Sequence, residues 1–176
     1  MIGLKRGFVK LSKYNPKWKT LFEDESTKLL SVASGYFEDV QHIGSTAVPD
    51  IVSKPIIDIL AAINSLSNIV KIIDPLKTLG YIYRGEQGIP GRHLFVKGGE
   101  DYRTHHLHIV EKEHSEWTKH TLFRDYLRKH PKEAQKYSKL KQDLLKKYEC
   151  DREKYTSSKS DFIERILEKA KQDSSI

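Results

Sequence analysis

The chain has 176 residues, of which 38% are hydrophobic and 31% charged, and its 31 basic against 24 acidic side chains leave a formal charge of +7. That size and balance suit one globular domain with its own core, and no stretch approaches the ~20 apolar residues of a membrane helix. The N-terminal run MIGLKRGFVKLSKYNP has no continuous apolar signal core, and the lone Cys150 excludes an internal disulfide and a cysteine-based zinc cluster, so the chain reads as soluble, cytoplasmic and without a membrane partner.

In chain order, Asn15 and Pro16 read as a helix start, with Trp18, Leu21, Phe22, Leu29 and Leu30 recurring at helical intervals to about Ser34. Phe37 to Ile43 reads as a strand, and 44–54, GSTAVPDIVSK, as an irregular loop. Residues 55–63, PIIDILAAI, form an apolar run of buried-strand type with Asp58 inside it. A helical pattern over 64–80 must kink or shorten at Pro75. Strands are expected at Tyr81 to Tyr83, His93 to Val96 and Thr104 to Val110, and from about Ser115 the period is helical to the end, in three segments. The expected organisation is one α/β domain over 1–176, a mixed sheet portion (1–111) with a helical portion (112–176) packed on it.

Two stretches carry chemistry. In HIGSTAVPDIVSKPIIDI, Gly44 and Ser45 suit close backbone approach and hydroxyl donation to a phosphate, Lys54 a counter-charge, and Asp58 a divalent cation. A lone Gly-Ser is equally a plain turn, whereas an ionised carboxylate in an apolar strand calls for a partner. In RTHHLHIV, strand alternation puts His106 and His108 on one face, fit for a metal, a phosphate or proton transfer, or for hydrogen bonds within the core. His42, Arg92, Arg103, Arg124 and Lys159 form a further tier, although Arg124 can instead pair with Asp125 and fix its helix.

These blocks, with KPIIDI, RTHHLHIVE, FRDYLRKHP and the Tyr155 to Lys159 segment, resemble the GrpB family, itself similar to the nucleotidyltransferase superfamily, over nearly the whole chain. The resemblance implies a nucleotidyltransferase-like mixed sheet and transfer of a nucleoside monophosphate from a nucleoside triphosphate to an unidentified acceptor, with Mg2+. It assigns phosphate binding to Gly44 and Ser45 and metal ligation to Asp58, with His106 and His108 completing the site, and to these the residue types themselves add Lys54 and Arg103 as phosphate partners. The second acid of the superfamily's Asp-x-Asp pair is Leu60 here, and no third carboxylate is evident.

The residues leave two other readings open. One is a nucleotide- or phosphate-binding module without catalysis. The other is an RNA-associated protein using the basic helical third, where 17 basic and 12 acidic residues give +5, against 14 and 12, or +2, in residues 1–111. Lysines alternating with acids at helical spacing are also simply a solvated face.

Overall fold

The computed structural model describes residues 2–5, 7–99, 101–148 and 151–173; Cys150 lies outside them. A five-stranded mixed sheet is built from β2 (Phe37–Ile43), β3 (Ile57–Ile63), β4 (Tyr81–Tyr83), β5 (His93–Lys97) and β7 (His105–Glu111), in the order β2-β3-β7-β5-β4. Only β3 and β7 run parallel; the other pairs are antiparallel. Two short strands, β1 (Leu4–Lys5) and β6 (Tyr102–Arg103), pair separately.

The sheet's two faces are covered differently. On one, Ile57, Ile59, Ala61, Ile63, Leu107, Ile109 and Phe95 pack against α1 (Lys17–Val32) and α2 (Ile69–Thr78). The Asn15 side chain accepts from Lys17 N at 3.0 Å and starts α1, whose buried Trp18, Glu25 and Leu29 form a single stripe. Residues 66–68 wind as a 3-10 turn, so α2 begins later than the apolar pattern suggests, and Pro75 sits inside it. A proline there forfeits one intrahelical hydrogen bond, which the tertiary packing of Ile69, Ile72 and Leu76 tolerates.

On the other face Ile43, Leu60, Ala62 and Val110 pack under Trp117 of α3 (Ser115–Lys129). Two further helices, α4 (Pro131–Lys147) and α6 (Ser160–Asp173), join α3 and the 44–54 loop through Val48, Ile51, Tyr126, Tyr137, Phe162 and Ile166. The short α5 (Arg152–Ser157) contributes Tyr155, which packs with Val9 and Leu144. No helix among the described residues is long and apolar enough to cross a membrane.

The 44–54 loop has little internal structure, so its backbone groups need outside partners. The helical third supplies most of them. Arg128 Nε donates to Ala47 O at 2.8 Å, Gln135 to Asp50 O at 2.8 Å, and Ser138 Oγ accepts from Val52 N at 3.0 Å. Ser53 and Ser12 exchange backbone hydrogen bonds at 2.8 and 2.9 Å on the remaining side.

Candidate functional site

Parallel pairing of β3 with β7 places Asp58 directly beside His106. His106 Nδ1 donates to Asp58 Oδ1 at 3.0 Å, with the side chains 20% and 31% exposed. The two residues, 48 apart in sequence, therefore share one sheet face and form an accessible acid–imidazole pair. Burial alone would raise the Asp58 carboxyl, but the His106 hydrogen bond and the nearby His106, His108 and His120 rings bring it below its ordinary value.

Gly44 closes β2 at φ 69°, a conformation that favours glycine. A Cβ at this position would lie 2.5 Å from Asp58 Oδ2. Glycine is thus required twice over, by the turn and by the carboxylate that rests against it. Ser45 then opens a 3-10 turn, Ser45–Ala47.

Asp58, Ser45 and Thr46 line a pocket of about 90 Å3 together with Lys54, Lys141, Tyr155 and Lys159. The Tyr155 ring has Lys54 Nζ 4.6 Å and Lys159 Nζ 4.7 Å from its centroid. The face of one aromatic ring thus holds both ammonium groups beside the pocket. Lys141 is only 2% exposed, donates to Val52 O and lies 4.6 Å over the Tyr137 ring. Burial, with Lys159 nearby, lowers its ammonium to about 7, so an anion entering the pocket would hold it protonated.

His106 itself lines a groove of about 500 Å3 together with His108, Arg84, Arg92 and Arg103. The His106 and His108 rings lie 6.5 Å apart, and His120 of α3 comes within 5.9 Å of His108. Glu116, one turn before His120, accepts from its Nε2 at 3.2 Å. Burial, then the His120 charge, lowers His108 to about 3, which keeps it a neutral imidazole. Its Nδ1 is buried without a hydrogen-bond partner among the described residues.

The structure thus brings Ser45, Lys54, Asp58 and Lys159 around one cavity and Arg92, Arg103, His106 and His108 around another, with Gly44 against Asp58, and Lys54, Arg103 and His106 meet again in a small pocket of about 50 Å3. It does not bring His42 there. Ile43 is the β2 residue opposite Asp58, so strand alternation turns His42 to the α1 face, where it stacks on Phe22 at 4.8 Å and hydrogen-bonds Thr46 Oγ1 at 3.0 Å. Arg124 is also elsewhere: it forks onto Asp125 at 2.7 and 2.9 Å and donates to Gln41 Oε1 and the His42 carbonyl, tying α3 to β2.

The expected metal ligands do not make a resident metal site. Among the described residues no group of three His, Cys, Asp or Glu side chains is placed to hold an ion. Leu60 is fully buried against Trp117, so the second acidic position is core, and His106 spends its Nδ1 on Asp58. Sequence reasoning missed Lys141, His120 and Arg84. Lys141 had a signal: it falls on the buried stripe Ala134, Tyr137, Ser138, Lys141, Leu144 of α4, where a charge is out of place.

Comparison with known proteins agrees with this architecture. The family model described as GrpB protein matches residues 8–169. The chain is 36% identical over 173 residues to the glutamate-rich protein GrpB of Alkalihalophilus pseudofirmus, covering 96% of this chain and 99% of that protein. It is 41% identical over 134 residues to the UPF0157 protein YqkA of Bacillus subtilis, covering 76% of this chain but 39% of YqkA, so it spans about two fifths of that relative's length. The crystal structure of conserved protein GrpB from Enterococcus faecalis superposes with a TM-score of 0.88 at 34% identity, covering 95% of this chain and 100% of that one. With matching sequence blocks, sheet and helical portion, the chain belongs to the GrpB family.

Proposed function

We propose that the cleft binds a nucleotide or another phosphorylated small molecule, with phosphate oxygens in the lysine pocket. One observation carries this reading: Lys54 from the loop, Lys141 from α4 and Lys159 from the α5–α6 junction converge with Ser45 and Thr46 on one small cavity. Three cations from separate segments are costly to gather and favour a multiply charged anion. Asp58 is the acid among the described residues of the pocket lining. Magnesium enters the reading only as a companion of the ligand's phosphates, with Asp58 as its protein ligand, because Mg2+ is commonly held by one or two carboxylates plus substrate oxygens.

The Asp58–His106 pair favours a second, catalytic reading, nucleotidyl transfer to an acceptor, as the family resemblance implies. The carboxylate orients the imidazole so that Nε2 is left to accept a proton, the arrangement required of a general base. Calorimetric titration of ATP, with and without magnesium, tests the first reading; saturable binding lost in Lys54→Gln is the expected result. Pyrophosphate release from the nucleoside triphosphate that stops in His106→Gln tests the second.

A further inference from the structure

We infer a second anion subsite in the arginine groove, holding the carboxylate or phosphate of a small-molecule acceptor beside His106. This deepens the reading above and rests on it for what the acceptor would meet. The groove's volume of about 500 Å3 suits a small molecule, since such sites run from about 300 to 1,000 Å3. Its cations come from three segments: Arg84 follows β4, Arg92 precedes β5, and Arg103 ends β6. Among the described residues no acid lines it, and its floor is Leu94 and Val96, the β5 residues paired with His108 and His106. Guanidinium groups recognise carboxylates and phosphates through paired, planar hydrogen bonds.

Two polar atoms point to an occupant. Arg92 Nε and His108 Nδ1 are both buried without a hydrogen-bond partner among the described residues, and both side chains line this groove. Buried polar atoms are rarely left unpaired. The Arg92 N–H needs an acceptor, which an anionic oxygen provides, and the neutral His108 ring serves a hydroxyl as donor or acceptor.

The position relative to the lysine pocket gives the subsite its role. Asp58 lines the lysine pocket, His106 lines the groove, and their 3.0 Å hydrogen bond joins the two cavities. A hydroxyl or amine of the groove's occupant gives its proton to His106 Nε2 as its lone pair attacks the α-phosphorus of the nucleoside triphosphate in the lysine pocket, where the bond to the departing pyrophosphate breaks. The O–H or N–H bond breaks, an N–H bond forms on the imidazole, and the Asp58 carboxylate stabilises the resulting imidazolium.

The test titrates the full chain by calorimetry with succinate, with glycerol 3-phosphate and, separately, with ATP. The expected result is saturable binding of at least one of the first two, weakened about ten-fold or more in Arg84→Gln with ATP affinity unchanged. Lys54→Gln gives the reverse pattern. Because Arg92 Nη2 also donates to the Glu86 and Gln87 carbonyls at 3.0 and 3.2 Å, Arg92→Lys serves as the second variant, with folding checked by circular dichroism. Preference for succinate identifies a carboxylate acceptor, and preference for glycerol 3-phosphate a phosphorylated one. The subsite is overturned if neither probe binds the wild type saturably, or if Arg84→Gln binds it equally well. It is also overturned if ATP binding is lost in Arg84→Gln but kept in Lys54→Gln. ATP that fails to bind the wild type, alongside a probe that remains sensitive to Arg84, removes the lysine-pocket reading and leaves the subsite standing.

Discussion

Two acid–base pairs stand back to back across the same sheet. Under α1, Glu25 accepts from Lys97 Nζ at 2.6 Å, with side chains 4% and 22% exposed; under the helical third, Asp58 accepts from His106 at 3.0 Å, with 31% and 20%. In both, burial pushes the carboxyl up and the partner's hydrogen bond brings it below its ordinary value. The difference is what surrounds them. Glu25 is enclosed by core, so its pairing only makes burial tolerable. Asp58 borders a pocket lined by lysines and its partner His106 a groove lined by arginines, so the pairing prepares a surface that a ligand can reach. A lowered carboxyl pKa by itself does not separate a structural carboxylate from a functional one; access does.

The largest expected effect comes from stripping the cover off the second pair. Removing residues 112–176 takes away Trp117 and the side chains that satisfy the 44–54 loop backbone. Burial of each large apolar side chain is worth about 1.5–3 kcal/mol, so several equal the ~5–15 kcal/mol stability of a domain. The 1–111 fragment is expected to show no cooperative melt by calorimetry; a cooperative, monomeric fragment would divide the chain into two domains.

Next comes the contrast itself. Glu25→Ala leaves the half-buried Lys97 without its carboxylate and should cost about 1–3 kcal/mol by urea denaturation, with ATP binding unaltered in the protein that remains folded. Gly44→Ala follows. The left-handed backbone alone costs about 1–2 kcal/mol for a side chain, and the methyl must also displace Asp58, so both the denaturation midpoint and ligand affinity should fall.

Acid sharpens the comparison further. Burial lowers His42 and His105 on the closed face to about 4, and His108 on the open face to about 3, from 6.5. The unfolded chain therefore takes up these protons first. Their contribution is fully present above pH 6.5 and is lost as pH falls toward 4, with a limiting slope of about 1.4 kcal/mol per pH unit for each proton. Denaturation midpoints measured from pH 8 to pH 5 should drop across this window, and a flat profile would mean that these imidazoles stay hydrated.

Asp58→Asn should change stability least, by under about 1 kcal/mol, because the amide keeps the shape that Gly44 accommodates. Its effect on ligand should change sign with conditions. Removing a negative charge from a lysine pocket tightens metal-free ATP and weakens ATP with magnesium. Loss of binding in both conditions would show that Asp58 acts by holding His106 rather than by charge.

The strands show what sequence makes legible. Ile57–Ile63 and Tyr81–Tyr83 follow from runs of apolar, β-branched or aromatic residues, while β1 and β6, two residues each, are too short to express any period. Alternation put His106 and His108 on one face correctly, and the same rule applied to Ile43 would have turned His42 away. The Asp58–His106 contact depends on strand register, which no local pattern encodes. Lys141 was hidden in a lysine-rich helix, although its place on the buried stripe distinguished it from its neighbours. Arg84 and Arg92 sit on turns, and only the packing of β4 and β5 beside β7 brings them to the histidines.

Gly44 has one more consequence, for the freedom of the side chain it touches. Oδ1 of Asp58 is tethered by His106 while Oδ2 faces a backbone with no room for a methyl group. The carboxylate cannot swing about its own bonds without breaking the first contact or striking the second. Its rotational freedom is surrendered when the chain folds rather than when a ligand arrives. Ordering such a side chain at the moment of binding would cost about 0.5–1.5 kcal/mol. Here that cost is already met by the meeting of β2, β3 and β7, and whatever enters the cleft finds the Asp58 carboxylate aimed in advance.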